Sequence, residues 1–378
     1  FYGTANTNQM LMEFMGMHLP GSSFVNPDSG MRDALTIRGT EQVLGNTALG
    51  QTFRPTSEIL SEKAFVNGLV GLMATGGSTN LVLHLPAMAR AAGVIIDLED
   101  FSDLSEAVPL MAKVYPNGLA DVNHFHAAGG LGYMIGELLN AGLLHDDVET
   151  VMGKGLAQYS QEPKLVDGKI AFTAGTTKSL NEKILRPVSD PFNHHGGLTQ
   201  LAGNLGRGVI KTSAVAQERH IIEAPAKIFH TQEAVKAAFK AGELAQDTVV
   251  VVRFQGPKSN GMPELHSLTP ILATMQDRGL KVALVTDGRM SGASGKVPSA
   301  IHVSPEAANG GPLAFIQDGD IIRLDATKGT IDVIGVDLST RTAAAPDLKG
   351  NGNGVGRELF QVFRDNVGLS SDGAGVCI

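Results

Sequence analysis

Residues 248–254 read TVVVVRF, and the apolar run of four valines at 249–252 is typical of a strand that is buried on both faces of a sheet. Residues 265–278 then have the apolar spacing of a helix, and residues 281–286, KVALVT, form the next apolar run. A strand, a helix and a second strand within about 40 residues make a βαβ unit, which requires the two strands to pair in parallel. The second half of the chain is therefore predicted to be of the α/β class.

The pattern changes on either side of this unit. Residues 320–324 and 330–336 are predicted to be short strands joined by a turn at Lys328-Gly329. The first half of the chain has mostly helical spacing, and its predicted helices cover residues 58–72, 81–92, 103–114 and 130–141. Ser78 or Thr79 is the predicted N-cap of the helix over 81–92, and Gly142 closes the last helix.

A domain boundary is predicted between these halves. The stretch from Asp167 to Gly197 is rich in turn-forming residues, which are Gly168, Gly175, Pro187, Pro191 and Gly196. A chain of 378 residues is also longer than one hydrophobic core usually serves. We therefore predict two domains, residues 1–185 and residues 186–378.

Composition excludes several classes of protein. Hydrophobic residues make up 43% and charged residues 18%, as in folded proteins, and no apolar run approaches the roughly 20 residues of a membrane helix. The net charge is −8 without clustered Lys and Arg, which argues against nucleic acid as a partner. Cys377 is the only cysteine, so no internal disulfide can form, and with no leader pattern we expect a cytoplasmic protein. Because Phe1 replaces an initiator Met, we also expect a longer parent protein.

Two polar loops follow the buried strands, residues 255–264 (QGPKSNGMPE) and residues 287–296 (DGRMSGASGK). Open α/β sheets bind ligands at the carboxyl ends of neighbouring strands, which is where both loops begin. Their glycines let backbone N–H groups approach an anion, and Lys258, Arg289 and Lys296 add positive charge. Ordinary turns are the alternative interpretation.

Known phosphate-binding patterns do not account for these loops. Residues 292–296 lack the spacing of a P-loop, and Val297 stands where Ser or Thr should follow the Lys. Residues 203–208, GNLGRG, do not match the dinucleotide pattern either.

The whole chain resembles the family of dihydroxyacid and phosphogluconate dehydratases. The motifs that carry this resemblance occur in the expected order, and they are GTANTN (3–8), TGGSTN (75–80), GNLG (203–206), GPK (256–258), GMPE (261–264), DGR (287–289), SG (291–292) and HVSPEA (302–307). Other stretches resemble the phosphogluconate branch of that family, namely NHFHAAGG (123–130), HHGG (194–197), GR (206–207), KSNGMPELH (258–266) and SGASGKVPSA (291–300).

The resemblance implies a fold and a reaction. The expected fold is the remainder of an α/β iron–sulfur domain followed by a swivelling β-barrel-like α/β domain. The expected reaction is dehydration of 6-phosphogluconate to 2-dehydro-3-deoxy-6-phosphogluconate, a step of the Entner–Doudoroff pathway. Alternatives are a dehydratase for dihydroxy acids or unphosphorylated sugar acids, and a non-catalytic anion-binding or scaffold protein.

Roles for individual residues also come from the resemblance. Ser291 is the expected base, acting as an alkoxide that removes the C2 proton, whereas its other interpretation is a turn residue. Glu264 is the expected Mg²⁺ ligand, and a carboxylate after Pro263 is also favourable at a helix start.

Several further residues are candidates for binding the substrate. Lys258, Lys296 and Arg207 are expected at its phosphate, although each could be a solvated or structural charge. Ser78, Thr79 and Asn80 either contact substrate or cap the following helix. His194 and His195 are interpreted as loop histidines rather than substrate ligands.

The expected cofactors are an iron–sulfur cluster, of the 4Fe–4S or the 2Fe–2S type, and Mg²⁺. The family's cluster cysteines are expected outside this chain, since Cys377 matches none of them. We therefore expect the complete protein to be an enzyme, a homodimer by resemblance, and the isolated chain to be inactive.

Overall fold

The computed structural model describes residues 3–291, 295–347 and 354–376. The chain forms two compact units. The first comprises Phe1–Leu81, Ala92–Val94 and Asp103–Gly197, and the second comprises Val82–Ala91, Ile95–Ser102 and Leu198–Ile378. The domain boundary between residues 185 and 186 stays a prediction.

The first part of the chain is mostly helical, as predicted. Its helices are α1 (Thr4–Phe14), α2 (Gly30–Asn46), α3 (Thr56–Ile59), α4 (Glu62–Thr75), α5 (Leu81–Ala91), α6 (Leu98–Ala107), α7 (Val122–Ala127) and α8 (Gly130–Asn140). Two antiparallel hairpins follow, formed by β1 (Glu149–Thr150) with β2 (Gly153–Lys154) and by β3 (Gln161–Val166) with β4 (Lys169–Ala174). Of these elements, α5 from Val82 onward and the start of α6 belong to the second unit.

Two predicted helices begin and end elsewhere, for local reasons. The helix predicted over 58–72 begins at Glu62, because the Ser61 hydroxyl caps it by accepting the Ala64 N–H at 3.3 Å. The helix predicted over 103–114 is wrong in its second half. Pro109 ends helical structure, and residues 110–114 are extended, with single bridges from Leu110 to Asn193 and from Ala112 to Leu185.

The second unit contains a closed barrel of eight strands. In chain order its elements are β5 (Leu198–Gly203), β6 (Gly206–Lys211), β7 (Ile221–Phe229), α9 (Gln232–Lys240), β8 (Thr248–Val252), α10 (Pro257–Asn260), α11 (Leu268–Asp277), β9 (Val282–Thr286), β10 (Ser299–Ser304), β11 (Ile321–Asp325), β12 (Thr330–Val333) and α12 (Gln361–Asn366). Around the barrel the strands are ordered β10, β6, β5, β12, β11, β7, β8 and β9. This arrangement confirms the α/β class and the barrel that the resemblance implied.

Parallel pairing runs through one side of the barrel, where β7, β8, β9 and β10 are consecutive neighbours. The predicted βαβ unit is therefore confirmed as β8, α11 and β9. Every residue of β8 and β9 is buried, which explains why both strands are continuously apolar. Inside the barrel, the core includes Leu201, Ile210, Val251, Val285 and Leu324. The late strands β11 and β12 pair antiparallel, as predicted.

None of the helices in these described ranges combines the length and the apolar character that crossing a membrane would require.

Candidate active site

Three loops meet at one end of the barrel, which we call the rim. They follow β8, β9 and β10, and because these strands are parallel neighbours, their carboxyl ends lie at the same end of the barrel. The two polar loops singled out in the sequence are the first two of the three. A third loop, beginning at Pro305 after β10, completes the rim.

Asp287 holds the three rim loops together. Its side chain is fully buried, and its carboxylate accepts the N–H groups of Gln255 at 2.8 Å, Phe254 at 3.1 Å and Ala307 at 2.9 Å. Burial raises the pKa of this carboxyl to about 6, although the three N–H donors act in the opposite direction. Because three backbone N–H groups from two other loops bind this buried carboxylate, Asp287 is a structural residue of the rim.

Glu306 joins the first loop to the third in a similar way. One carboxylate oxygen accepts the Lys258 N–H at 2.7 Å, and the other accepts the Ser259 N–H at 3.2 Å and the Ser259 hydroxyl at 2.9 Å. A Cβ at Gly256 would lie 2.4 Å from a Glu306 oxygen, so the close approach of the two loops requires glycine there.

The Glu264 carboxylate is paired with Arg289. Arg289 Nη1 donates to Glu264 Oε1 at 3.1 Å and its Nε donates to the Met262 carbonyl at 2.6 Å, while the Leu265 N–H donates to the Arg289 carbonyl at 3.0 Å. Both charged side chains remain partly exposed, Glu264 at 31% and Arg289 at 23%. The two strand-end loops thus present a carboxylate and a guanidinium side by side at the rim.

Ser291 follows Arg289 by two residues and is half-buried, whereas the intervening Met290 is buried. Its neighbours Gly292, Ala293 and Ser294 lie outside the described residues. Ser291 thus lies in the same loop as Arg289, whose guanidinium is paired with Glu264. Its role as the base stays a prediction.

The three candidate phosphate-binding cations lie in different places. Lys258 is half-buried on α10, in the first rim loop. Arg207 is exposed on β6 opposite Ser304, the last residue of β10, and it lines a cavity of about 500 Å³ at that end of the barrel. Lys296 is exposed, and its carbonyl accepts from Gln276 near the C-terminal end of α11. The rim lies near the start of α11, whereas the backbone of Lys296 lies near the end of that helix. The structure therefore brings Lys258 and Arg207 to the rim, but not the backbone of Lys296.

In the first unit, Ser78, Thr79 and Asn80 are buried beside α1. The Ser78 N–H donates to the Thr7 hydroxyl at 3.0 Å, and the Asn80 amide donates to the Thr4 hydroxyl at 2.6 Å. These bonds give the Gly-rich turn a structural role in holding the start of α1. Substrate contact by the three residues stays a prediction.

The two histidines before the barrel are exposed. His195 Nδ1 lies 3.3 Å from the Glu106 carboxylate and 3.2 Å from the Glu106 carbonyl, as in a loop histidine with local partners. This contact agrees with the interpretation of His195 as a loop histidine, whereas the interpretation of His194 stays a prediction.

Taken alone, the described residues do not complete a site for either cofactor expected from the resemblance. Cys377 lies outside them, so they provide no thiolate for a cluster. Within the described ranges, no three His, Cys, Asp or Glu side chains come together as a metal site, and the Glu264 carboxylate is paired with Arg289.

Sequence reasoning missed two histidines near the ion pair. His84, in the first turn of α5, is close enough to Arg289 and Glu264 for both to influence its pKa, which burial lowers most. His302 lies on β10 and is buried, at 1% exposure. His302 was visible only as part of the motif HVSPEA, and His84 had no signal beyond its residue type.

Similarity to known proteins identifies the family of this chain. The chain matches two family models, described as dihydroxy-acid/6-phosphogluconate dehydratase N-terminal over residues 1–159 and C-terminal over residues 183–374. It is 59% identical to a protein named phosphogluconate dehydratase from Rhizobium meliloti, over 100% of this chain and 62% of that protein. It is 56% identical to a protein of the same name from Escherichia coli K12, over 100% of this chain and 63% of the relative.

A dihydroxy-acid dehydratase from Caldanaerobacter subterraneus is 40% identical over 87% of this chain and 56% of its own length. The chain therefore spans a little under two thirds of the curated relatives it matches, at 62% and 63% for the two phosphogluconate dehydratases. Both halves of the chain nevertheless match a family model, the N-terminal model first and the C-terminal model second. The chain belongs to the dihydroxy-acid/6-phosphogluconate dehydratase family.

Proposed function

We propose that the protein containing this chain is a hydro-lyase that converts 6-phosphogluconate to 2-dehydro-3-deoxy-6-phosphogluconate in the Entner–Doudoroff pathway of gluconate metabolism. The observation that carries the proposal is the difference in identity between two groups of relatives. Proteins named phosphogluconate dehydratase are 59% and 56% identical to the chain, whereas the dihydroxy-acid dehydratase is 40% identical.

The rim supports the proposal because it offers groups suited to an anionic sugar acid. Arg289 and Lys258 supply positive charge near the ends of two parallel strands, where a carboxylate or phosphate gains most from fixed cations. Arg207 adds a third cation at the same end of the barrel. We assign the phosphate to Lys258 and Arg207, and we assign a weaker, indirect contribution to Lys296.

Proton removal is the step that this chain's own residues address. The C2 proton beside a carboxylate is only weakly acidic, so a strong base is needed. We assign this role to Ser291, in the loop that also carries Arg289, because a fixed positive charge stabilises an alkoxide. Asp287 and Glu306 keep the loop backbone in place, so that Ser291 and Glu264 are presented from fixed positions.

Loss of the C3 hydroxyl needs an activating group that the described residues do not provide. We propose that the complete protein carries an iron–sulfur cluster and Mg²⁺, with most ligands outside this chain and with Glu264 as one Mg²⁺ ligand. The Glu264 carboxylate would then have to leave its ion pair with Arg289 in order to bind the Mg²⁺ ion. We further propose a cytoplasmic homodimer.

The test is a comparison of substrates with the complete protein. We expect a 2-keto acid, detected as its semicarbazone, from 6-phosphogluconate at a much higher kcat/KM than from gluconate or dihydroxyisovalerate. Equal rates with and without the phosphate would contradict the phosphogluconate assignment, and no 2-keto acid from any of the three would contradict the reaction. The isolated chain with 6-phosphogluconate and Mg²⁺ is expected to show no turnover.

A further inference from the structure

His302 is held in an unusual backbone conformation within the barrel wall. Its φ is +55°, in the left-handed region that side chains with a Cβ rarely adopt, and the pairing of β10 with β6 is irregular between Ile301 and Ser304. Both backbone groups of His302 are hydrogen-bonded. The His302 N–H donates to the Gly288 carbonyl at 2.9 Å, and its carbonyl accepts the Ser370 hydroxyl at 3.2 Å. Backbone strain of this kind often marks functional positions.

The imidazole of His302 is buried without a hydrogen-bond partner. Its exposure is 1%, and within the described part of the chain neither Nδ1 nor Nε2 has a partner. A buried polar atom left without a hydrogen bond is costly, and in native proteins such atoms usually bind an ordered water molecule or a ligand. An apolar side chain of similar size would avoid this cost entirely.

The surroundings of His302 identify the kind of group that would fit. Burial, followed by the nearby Arg289 and His84, lowers the pKa of His302 to about 3, so the ring is neutral at physiological pH. A neutral imidazole carries one donor and one acceptor. It is suited to an uncharged hydroxyl oxygen, whereas the charged groups of a sugar acid would be drawn to Arg289.

We propose that His302 binds a hydroxyl oxygen at the rim, provided by the substrate or by an ordered water molecule, and so helps to position the substrate beside Arg289. The inference rests on the proposed dehydratase function. It adds a residue to which no role was assigned from sequence.

The inference is tested with His302→Leu and His302→Asn in the complete enzyme. Leu removes both ring nitrogens, whereas Asn keeps a donor and an acceptor and tolerates a positive φ. We expect kcat/KM for 6-phosphogluconate to fall by at least about tenfold in His302→Leu and to recover in part in His302→Asn. His220→Asn is the matched control, because His220 lies just before β7, and its Nε2 is already 3.2 Å from the Val215 carbonyl.

The pattern of kinetic change distinguishes the two sources of the hydroxyl. A rise in KM that disappears with a deoxy analogue of the substrate indicates a substrate hydroxyl, whereas a fall in kcat alone with every substrate indicates bound water. The inference is overturned if His302→Leu keeps kcat/KM within twofold and melts at a higher temperature than the wild type, as expected for a merely unsatisfied histidine. Failure of the wild type to dehydrate 6-phosphogluconate would instead overturn the proposed function.

Discussion

Glu13 in the first unit and Asp287 in the second perform the same structural task in loops of different chemistry. Glu13 is fully buried and accepts the N–H groups of Gly21 at 2.8 Å and Ser23 at 2.7 Å, much as Asp287 accepts three rim N–H groups. Burial raises the pKa of Glu13 to about 7 and that of Asp287 to about 6. Yet residues 15–25 beside Glu13 contain no Lys, Arg, Asp or Glu, whereas the rim carries Arg289 and Glu264.

A buried carboxylate with a raised pKa is therefore not by itself a sign of catalysis. Perturbed pKa values often mark functional sites, but structural carboxylates have them as well. What distinguishes the rim is the set of partly exposed charges on the loops that Asp287 holds. The chemistry is therefore expected at the exposed neighbours, and the following variants separate the two kinds of residue.

Ser291→Ala is expected to have the largest effect. Loss of a general base lowers kcat by about 10²- to 10⁴-fold, while the thermal midpoint should change little because Ser291 is only half-buried. Steady-state kinetics and thermal melts of the complete enzyme measure the two quantities. Ser299→Ala, which removes only a bond to the Val297 carbonyl, is the control. A kcat above one tenth of the wild-type value would exclude Ser291 as the base.

Asp287→Ala is expected to reduce both stability and activity. Three buried N–H groups would lose their acceptor, which should lower the free energy of unfolding by about 4 kcal/mol. Urea unfolding followed by circular dichroism measures the loss. If the variant were as stable as the wild type but inactive, Asp287 would be catalytic, and the structural role that it is said to share with Glu13 would be wrong.

Glu13→Gln is expected to change only the dependence of stability on pH. The folded-state pKa of Glu13 is raised from 4.5 to about 7, so the folded protein binds the proton more tightly than the unfolded chain. Its contribution is fully present below pH 4.5 and is lost as the pH rises to about 7, by about 3 kcal/mol at most.

Urea unfolding at pH 5 and at pH 7.5 should therefore show a smaller decrease for Glu13→Gln than for the wild type. Glu41→Gln, at an exposed position on α2, should keep the wild-type decrease. An unchanged decrease in Glu13→Gln would mean that Glu13 is already ionised in the folded protein at pH 5.

Lys258→Met is expected to have a smaller effect than these variants, confined to the phosphate. It should raise the KM for 6-phosphogluconate by roughly tenfold and leave that for gluconate unchanged. Lys296→Met should change it by no more than about twofold, because its backbone lies near the far end of α11. An equal rise in KM for both substrates would place Lys258 at the carboxylate instead.

Sequence predicted the βαβ unit well because β8 and β9 are buried on both faces and α11 has a clear helical pattern. It also placed the two polar loops at the carboxyl ends of neighbouring strands. Closure of the barrel was available only from the resemblance, because β5 pairs with β12 across more than a hundred residues of chain. Local patterns carry no information on such a contact.

The roles of single polar residues were harder to predict for the same reason. Asp287 and Glu306 act on N–H groups of other loops, and no spacing within one loop reveals which backbone donors a carboxylate will meet. His302 depends on a bulge between β10 and β6. The wrong helix prediction for residues 110–114 could, by contrast, have been avoided. Pro109 indicates the end of a helix, but the helical spacing of the apolar residues was given more weight.

The contact between Gly256 and Glu306 is expected to make position 256 intolerant of substitution. The φ of Gly256 is −72°, which any residue can adopt, so the obstacle to a larger residue is the Glu306 side chain, which supplies the three atoms nearest to an added Cβ. In a scan of single substitutions, position 256 would appear as intolerant as the position of a catalytic residue. The cause is different, because glycine is needed there only to let the loop that carries Glu306 approach closely. Intolerance of this origin can be suppressed. Because the Glu306 Cβ also lies 2.6 Å from an added Cβ, only Glu306→Gly removes the clash, and it should partly restore Gly256→Ala, whereas no second change should restore Ser291→Ala.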